Sequence, residues 1–238
     1  MSKGKFIGVG LGPGDPDLVT IRAARLIAGA EVIAYPSLPG TESFARQIAA
    51  PYITDNTHEI TLEIPMTTAR GPAQTAYDLG AARIAEALDL GQDVVMLCEG
   101  DPFFYGSFMY LHARLSGRYP TEVVPGVTSV SAAAARAQMP LVARNEAFAT
   151  IPAPLPDETI RHRIESADSI AILKVGRHLG RIRDLLASLD LLDRARYIER
   201  ATLHNERILP LAEAPDPAPY FSLILVTKGA DPWLKTQS

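Results

Sequence analysis

The 238-residue chain is poor in thiol and in tryptophan: it has one of each, the thiol being Cys98. A single cysteine forms no internal disulfide. The five histidines (His58, His112, His162, His178 and His204) lack metal-ligand spacing, so no metal is expected. No apolar run reaches the roughly 18–20 residues that cross a bilayer, which argues against a membrane partner. The opening Met1-Ser2-Lys3-Gly4-Lys5 runs into a glycine-punctuated strand rather than a signal-peptide core, and a cytoplasmic protein is expected. Basic excess is missing too: 23 Lys and Arg stand against 27 Asp and Glu, for a net charge of −4. Nucleic-acid binding needs a basic surface, so no nucleic-acid partner is expected. A Walker Gly-Lys-Ser/Thr loop and a Gly-x-Ser-x-Gly nucleophile elbow are both absent.

What is present is 47% apolar and 21% charged, which excludes intrinsic disorder. A chain this long buries roughly 70–75% of its unfolded surface without disulfide or metal staples. Lys5 to Gly10 reads as a buried strand, followed by the loop Gly10-Leu-Gly-Pro-Gly-Asp15 and a helix from about Pro16 to Ala28, with Asp15 as its cap. Glu31 to Ala34 is the next strand. From Pro72 to Leu90, Tyr77, Ala81, Ile84, Ala85 and Leu88 form one apolar stripe at helical spacing. Asp93 to Cys98 is a strand, Ser107 to Leu115 a helix, Thr121 to Val124 a strand, and Thr128 to Ala137 a small-residue helix. This alternation predicts a mostly parallel sheet covered on both faces. Beyond Met139-Pro140 the pattern changes. Ser169 to Leu173 reads as a strand and His178 to Leu189 as a helix with Leu179, Ile182, Leu186 and Leu189 inward. Arg196 to Glu199, Arg207 to Leu211 and Phe221 to Thr227 read as further strands with antiparallel pairing. The expected organisation is α/β in two domains, residues 1–139 with a mostly parallel sheet and 140–238 with a mixed one.

Three loops then end three parallel strands at the edge where open α/β sheets bind ligands: Gly10–Asp15, Gly100–Gly106 and Pro125–Ser129. The first is glycine-rich yet unsuited to phosphate. Pro13 removes a backbone donor where a dinucleotide fingerprint needs its third glycine, and Asp15 sets a carboxylate at the helix start. A neutral or cationic ligand suits it better, and a plain βα turn explains it equally well. Glu99-Gly100-Asp101-Pro102 brings more acid, matching a ligand with ribose hydroxyls, an amine or a sulfonium. On spacing alone, Phe103, Phe104 and Tyr105 read as core rather than ligand contacts. Thr128 and Ser129 are ligand hydroxyls or N-caps. Cys98, inside a strand with no histidine partner, reads as a small hydrophobe.

Together, Val9-Gly-Leu-Gly-Pro-Gly-Asp-Pro-Asp-Leu-Val-Thr20, Glu99-Gly-Asp-Pro-Phe-Phe-Tyr-Gly-Ser107 and Pro125-Gly-Val-Thr-Ser-Val-Ser-Ala-Ala133 resemble the tetrapyrrole methylase family. Within it, Cys98 to Leu111 is most similar to the precorrin-2 C20-methyltransferases of cobalamin biosynthesis. The resemblance implies two α/β domains holding S-adenosylmethionine and a tetrapyrrole between them, in a homodimer. It implies methyl transfer to C20 of precorrin-2, with S-adenosylhomocysteine as co-product and no metal. Cofactor contacts carry over to Pro13, Gly100, Asp101, Phe104, Thr128 and Ser129, and to Val175 and Ala201 in the second domain. Arg144, Lys174 and Arg200 are candidate partners for the substrate's carboxylates. No side chain is assigned as the base. Relatives acting on uroporphyrinogen carry Gly-Gly-Asp-Pro, against Glu99-Gly-Asp-Pro102 here, and an acid where Pro36 stands. Both departures weigh against the sirohaem-forming reaction. The alternatives are another acceptor on the same fold (cobalt-factor II, another corrin carbon, uroporphyrinogen III, an elongation-factor residue or an RNA ribose) and a non-catalytic nucleotide-binding module.

Overall fold

The first sheet is built from strands that are apolar on both sides. In β1 (Phe6–Gly10) every residue is buried, with Phe6 on one face and Ile7 and Val9 on the other. Such strands pair in parallel with helices covering both faces. The structure, a computed structural model, describes residues 2–65 and 70–229. After β1 come α1 (Ile21–Ala28), β2 (Val32–Ser37), α2 (Phe44–Ala49), β3 (His58–Glu63), α3 (Arg70–Asp89), β4 (Val94–Cys98), α4 (Phe108–Leu115) and β5 (Thr121–Val124). The strands form an all-parallel sheet in the order β3-β2-β4-β1-β5. One face carries Phe6, Val94 and Met96 under α3 and α4, the other Val9, Val95 and Leu97 under α1 and α2. The expected stripe on α3 is present: Tyr77, Ala81, Ile84, Ala85 and Leu88 are all buried.

The second sheet follows α5 (Ser129–Arg136). It comprises β6 (Phe148–Pro152), α6 (Asp157–Glu165), β7 (Ser169–Leu173), α7 (Leu179–Ala187), β8 (Ala195–Glu199), β9 (Arg207–Pro210) and β10 (Ser222–Thr227), in the order β6-β7-β10-β8-β9. Only β6 and β7 pair in parallel, so the sheet is mixed as expected. Its core gathers Ile170, Ile172, Tyr197, Ile224 and Val226 against Ile160, Ile164, Leu179, Ile182 and Leu186.

Four elements, α2, β3, β6 and α6, lie where no element is predicted. In two of them the apolar signal is thin, since β3 buries only Ile60 and Leu62 and α6 only Ile160 and Ile164, while α2 and β6 are apolar but only 6 and 5 residues long. The helix expected over Pro16–Ala28 is two pieces. Asp15 caps a single 3-10 turn, Pro16–Leu18, and the chain restarts at Thr20, whose Oγ1 accepts from the Ala23 N–H at 3.2 Å to cap α1. Strand β2 continues past Ala34 to Ser37 through its pairing with β3, while its pairing with β4 ends at Ala34, so Pro36 sits where no ladder donor is needed on that side. By contacts the chain divides into Met1–Thr128 and Ser129–Ser238. The expected boundary at 139/140 falls between α5 and β6. That division instead keeps α5 with the second unit, where Arg136 pairs with Glu206 at 2.9 Å.

Candidate functional site

The pairing register sets Gly10 beside Cys98 and Val9 beside Val124, so the three predicted loops leave neighbouring strand ends at one edge. They are joined through backbone. The Leu11 N–H donates to the Cys98 carbonyl at 2.9 Å, and Gly12 and Gly100 exchange N–H···O bonds of 3.2 and 2.8 Å. Both have positive φ, +75° and +65°. Gly10 and Gly126 approach still more closely. A Cβ on Gly126 would stand 2.2 Å from the Gly100 carbonyl oxygen and 2.7 Å from the Gly10 Cα. Only glycine permits this approach.

Asp101 locks the third loop to the second. One carboxylate oxygen accepts from the Gly126 N–H at 3.0 Å, the other from the Phe103 N–H at 2.9 Å. Asp101→Asn removes the charge and turns one oxygen into a donor facing an N–H. Hydrogen bonds to charged groups contribute about 1.5–3 kcal/mol. The variant is therefore expected to lose about 1.5–3 kcal/mol of stability, read by denaturant unfolding.

Pro13, Gly100, Asp101, Phe104 and Thr128 are thus brought to one edge of the first sheet, each partly exposed. Ser129 follows as the first residue of α5. The aromatic run is not core. Phe103 is 50% and Tyr105 45% exposed, and Phe104 stacks edge-on to Tyr105 with ring centres 5.1 Å apart. Tyr105 has a positive φ of +58°, which spacing alone does not encode. Cys98 is buried as expected, and burial pushes its thiol far above the usual range, so it is no nucleophile. Burial alone pushes the Glu99 carboxyl up to about 7.

In the second unit, β7 and β8 both run antiparallel to β10, so Lys174–Val175 and Arg200–Ala201 leave the sheet at the same edge. Val175 and Ala201 are buried, whereas Lys174 is exposed and Arg200 partly so. Arg144 stands apart from that pair. It precedes β6, whose lead residue Ala147 donates to Asp168 at the opening end of β7. The sequence reading missed Glu199. It is 2% exposed and accepts from Arg200 at 3.1 Å and from the Tyr197 hydroxyl at 2.6 Å, with Arg207 3.6 Å away. Its signal was alternation: Ala195, Tyr197 and Glu199 share the inward face of β8. Burial and the Glu199 bond push the Tyr197 hydroxyl up to about 12, so it stays a donor.

Among the described residues no group of three or more His, Cys, Asp or Glu could hold a metal ion, and no helix is long and apolar enough to cross a membrane. The first-unit edge suits a neutral or cationic ligand better than a phosphate. It offers Asp15, Glu99 and Asp101, Pro13 withholds an N–H, and the Gly12 and Gly100 N–H groups are already spent.

Known proteins agree with this architecture. The sequence profile of the Tetrapyrrole (Corrin/Porphyrin) Methylases matches residues 5–215. The chain is 43% identical over 237 residues to the cobalamin biosynthesis protein CobIJ of Mycobacterium tuberculosis, covering 96% of this chain and 47% of that one. It thus spans about half the length of that relative. It is 39% identical to the precorrin-2 C(20)-methyltransferase of a Sinorhizobium species, covering 94% of this chain and 95% of the relative. The crystal structure of uroporphyrin-III C-methyl transferase from Thermus thermophilus, complexed with S-adenosylhomocysteine, superposes with a TM-score of 0.69. That structure is 27% identical, with 94% of this chain and 97% of the other covered.

Proposed function

The chain belongs to the tetrapyrrole (corrin/porphyrin) methylases, and on that premise we propose that it transfers the methyl group of S-adenosylmethionine to C20 of precorrin-2. The observation that carries this reading is the acidic, phosphate-averse junction of three loops at one sheet edge, in a chain 39% identical to an enzyme of that name. When bound, S-adenosylmethionine supplies an activated methyl group on a positively charged sulfur. Pro13, Gly100, Asp101, Phe104, Thr128 and Ser129 would hold it. The cross-bonded loops fix its place before the acceptor arrives, and alignment of this kind contributes about 7–11 kcal/mol. The acceptor carbon is enamine-like and already nucleophilic, so no covalent enzyme intermediate is required.

A substrate rich in carboxylates needs cationic partners, and the second unit sets Lys174 and Arg200 at one sheet edge, with Arg207 on the same carboxylate as Arg200. Bidentate guanidinium contacts suit such a ligand. Arg200→Ala is expected to raise the KM for precorrin-2 at least tenfold, with affinity for S-adenosylhomocysteine within about twofold of wild type. Equal losses of both would refute this division. The reading itself is tested by incubating the protein with labelled S-adenosylmethionine and, separately, precorrin-2, its cobalt complex and uroporphyrinogen III. The expected product carries the label on C20 of precorrin-2. Label on another carbon, or on uroporphyrinogen alone, overturns it. Gel filtration of the same sample tests the homodimer that belongs to this proposal.

A further inference from the structure

The sheet edge holds three acids in its loops, and two of them are engaged. Asp101 spends both oxygens on the N–H groups of Gly126 and Phe103. Asp15 accepts from the Asp17 N–H at 2.9 Å as a cap. Glu99 differs: among the described residues no hydrogen bond or ion pair reaches its carboxyl, although the side chain is only partly exposed. Its position is nonetheless fixed, because the carbonyl of Cys98 before it and the N–H of Gly100 after it are both bonded to the first loop. A partnerless carboxyl on a rigid stem is costly to fold and suits a ligand-facing role.

We propose that the Glu99 carboxylate accepts the proton released by the substrate carbon after methylation. This rests on the methyltransfer reading above. Addition of a methyl group to an enamine-like carbon leaves the ring system with one excess positive charge. Neutrality returns when the C–H bond at that carbon breaks: its electron pair restores the conjugation, and the proton forms an O–H bond on Glu99. The charge balances, since one carboxylate and one cation become two neutral groups. Among the described residues of the three loops rival bases are few, and on the neighbouring strands β2 and β3 the Tyr35 hydroxyl donates to Glu59, whose carboxylate is held by Arg46. Cys98 stays a thiol, Asp101 and Asp15 are committed to backbone, and the third loop, Pro125 to Thr128, has no titratable side chain. A base half-ionised near neutral pH is well matched to this task.

Burial pushes the carboxyl up to about 7 in the ligand-free protein, so the active carboxylate form grows as pH rises through 7, and kcat/KM should rise with it to a plateau. Glu99→Gln is expected to lower kcat at least 100-fold, abolish that rise, and leave S-adenosylhomocysteine affinity within about twofold. Glu99→Asp should restore part of kcat together with a titration. Carbon-13 NMR of glutamate-labelled protein, with Glu99→Gln assigning the signal, should show one carboxyl titrating near 7 independently of turnover. Deuterium at C20 should slow the wild type less than the variant, in which proton removal becomes limiting. Unchanged kcat and pH profile in Glu99→Gln, or loss of S-adenosylhomocysteine binding in parallel with kcat, would overturn the proposal. Failure of the wild type to methylate precorrin-2 or its cobalt complex would instead overturn the reading beneath it, and the NMR titration separates the two.

Discussion

Glu199→Ala is expected to destabilise the second unit by about 3–5 kcal/mol, the cost typical of removing one partner from a buried ion pair. The carboxylate is 2% exposed, accepts from Arg200 at 3.1 Å and from the Tyr197 hydroxyl at 2.6 Å, and has the Arg207 guanidinium 3.6 Å away as an ion pair. Removing it leaves two guanidiniums facing each other across a cavity with no counter-charge. The outer face of each arginine is in water, with the side chains 36% and 50% exposed, so part of the repulsion is screened and the lower end of the range is expected. Glu199→Gln keeps the volume and one acceptor and should fall between. Tyr197→Phe should cost only about 1 kcal/mol, since Ser222 keeps its bond to the Pro219 carbonyl at 2.7 Å. Denaturant unfolding of the three variants checks the ranking. A Glu199→Ala protein as stable as wild type would show that this carboxylate holds nothing together.

Gly126→Ala should damage the loop junction of the first unit severely. Glycine to alanine in a loop commonly stabilises by about 0.4–1 kcal/mol through the unfolded chain. Here the sign reverses. The new Cβ would stand 2.2 Å from the Gly100 carbonyl oxygen and 2.7 Å from the Gly10 Cα, and backbone cannot rotate away as a side chain can. Gly10→Ala meets the Gly126 Cα and N at 2.5 Å and should behave alike. Overpacking costs typically 1–3 kcal/mol, and in a chain of this length each kcal/mol lowers Tm by about 2–4 °C. Because the junction also carries Asp101, S-adenosylhomocysteine affinity should fall at least tenfold. Gly71→Ala, with nothing within 4 Å of its Cβ, is the control and should be neutral or slightly stabilising. Thermal unfolding and calorimetry on these variants settle the comparison, and a Gly126→Ala protein matching the Gly71→Ala control would remove the case for a rigid loop junction.

These expectations differ in how far the chain's own pattern foreshadows them. The α3 stripe from Tyr77 to Leu88 and the inward set Leu179, Ile182 and Leu186 on α7 follow from helical periodicity, and all are buried. The mixed second sheet was legible from short spacings between strands, and the three loops from glycine, acid and proline placed after apolar runs. Where apolar residues are sparse, as in β3 and α6, or the element is only 5 residues long, as in β6, periodicity carries little signal and tertiary packing decides the element. The aromatic loop went the other way: Phe103 and Tyr105 have core-like composition and lie at the surface.

Sequence alone therefore determined the class of fold, the strand ends from which the loops leave, and the likeness to a family, because each depends on residues close together in the chain. Tertiary structure decided the rest. Gly10, Gly100 and Gly126 come from three separate strand ends, and only the parallel register of β4, β1 and β5 presses their backbones together. The sharing of Glu199 by Arg200 and Arg207 depends on the pairing of β8 with β9, and the separation of Arg144 from Lys174 on the parallel pairing of β6 with β7. The lone carboxyl of Glu99 is set by how much water the surrounding loops exclude, a sum over distant atoms that local pattern does not contain.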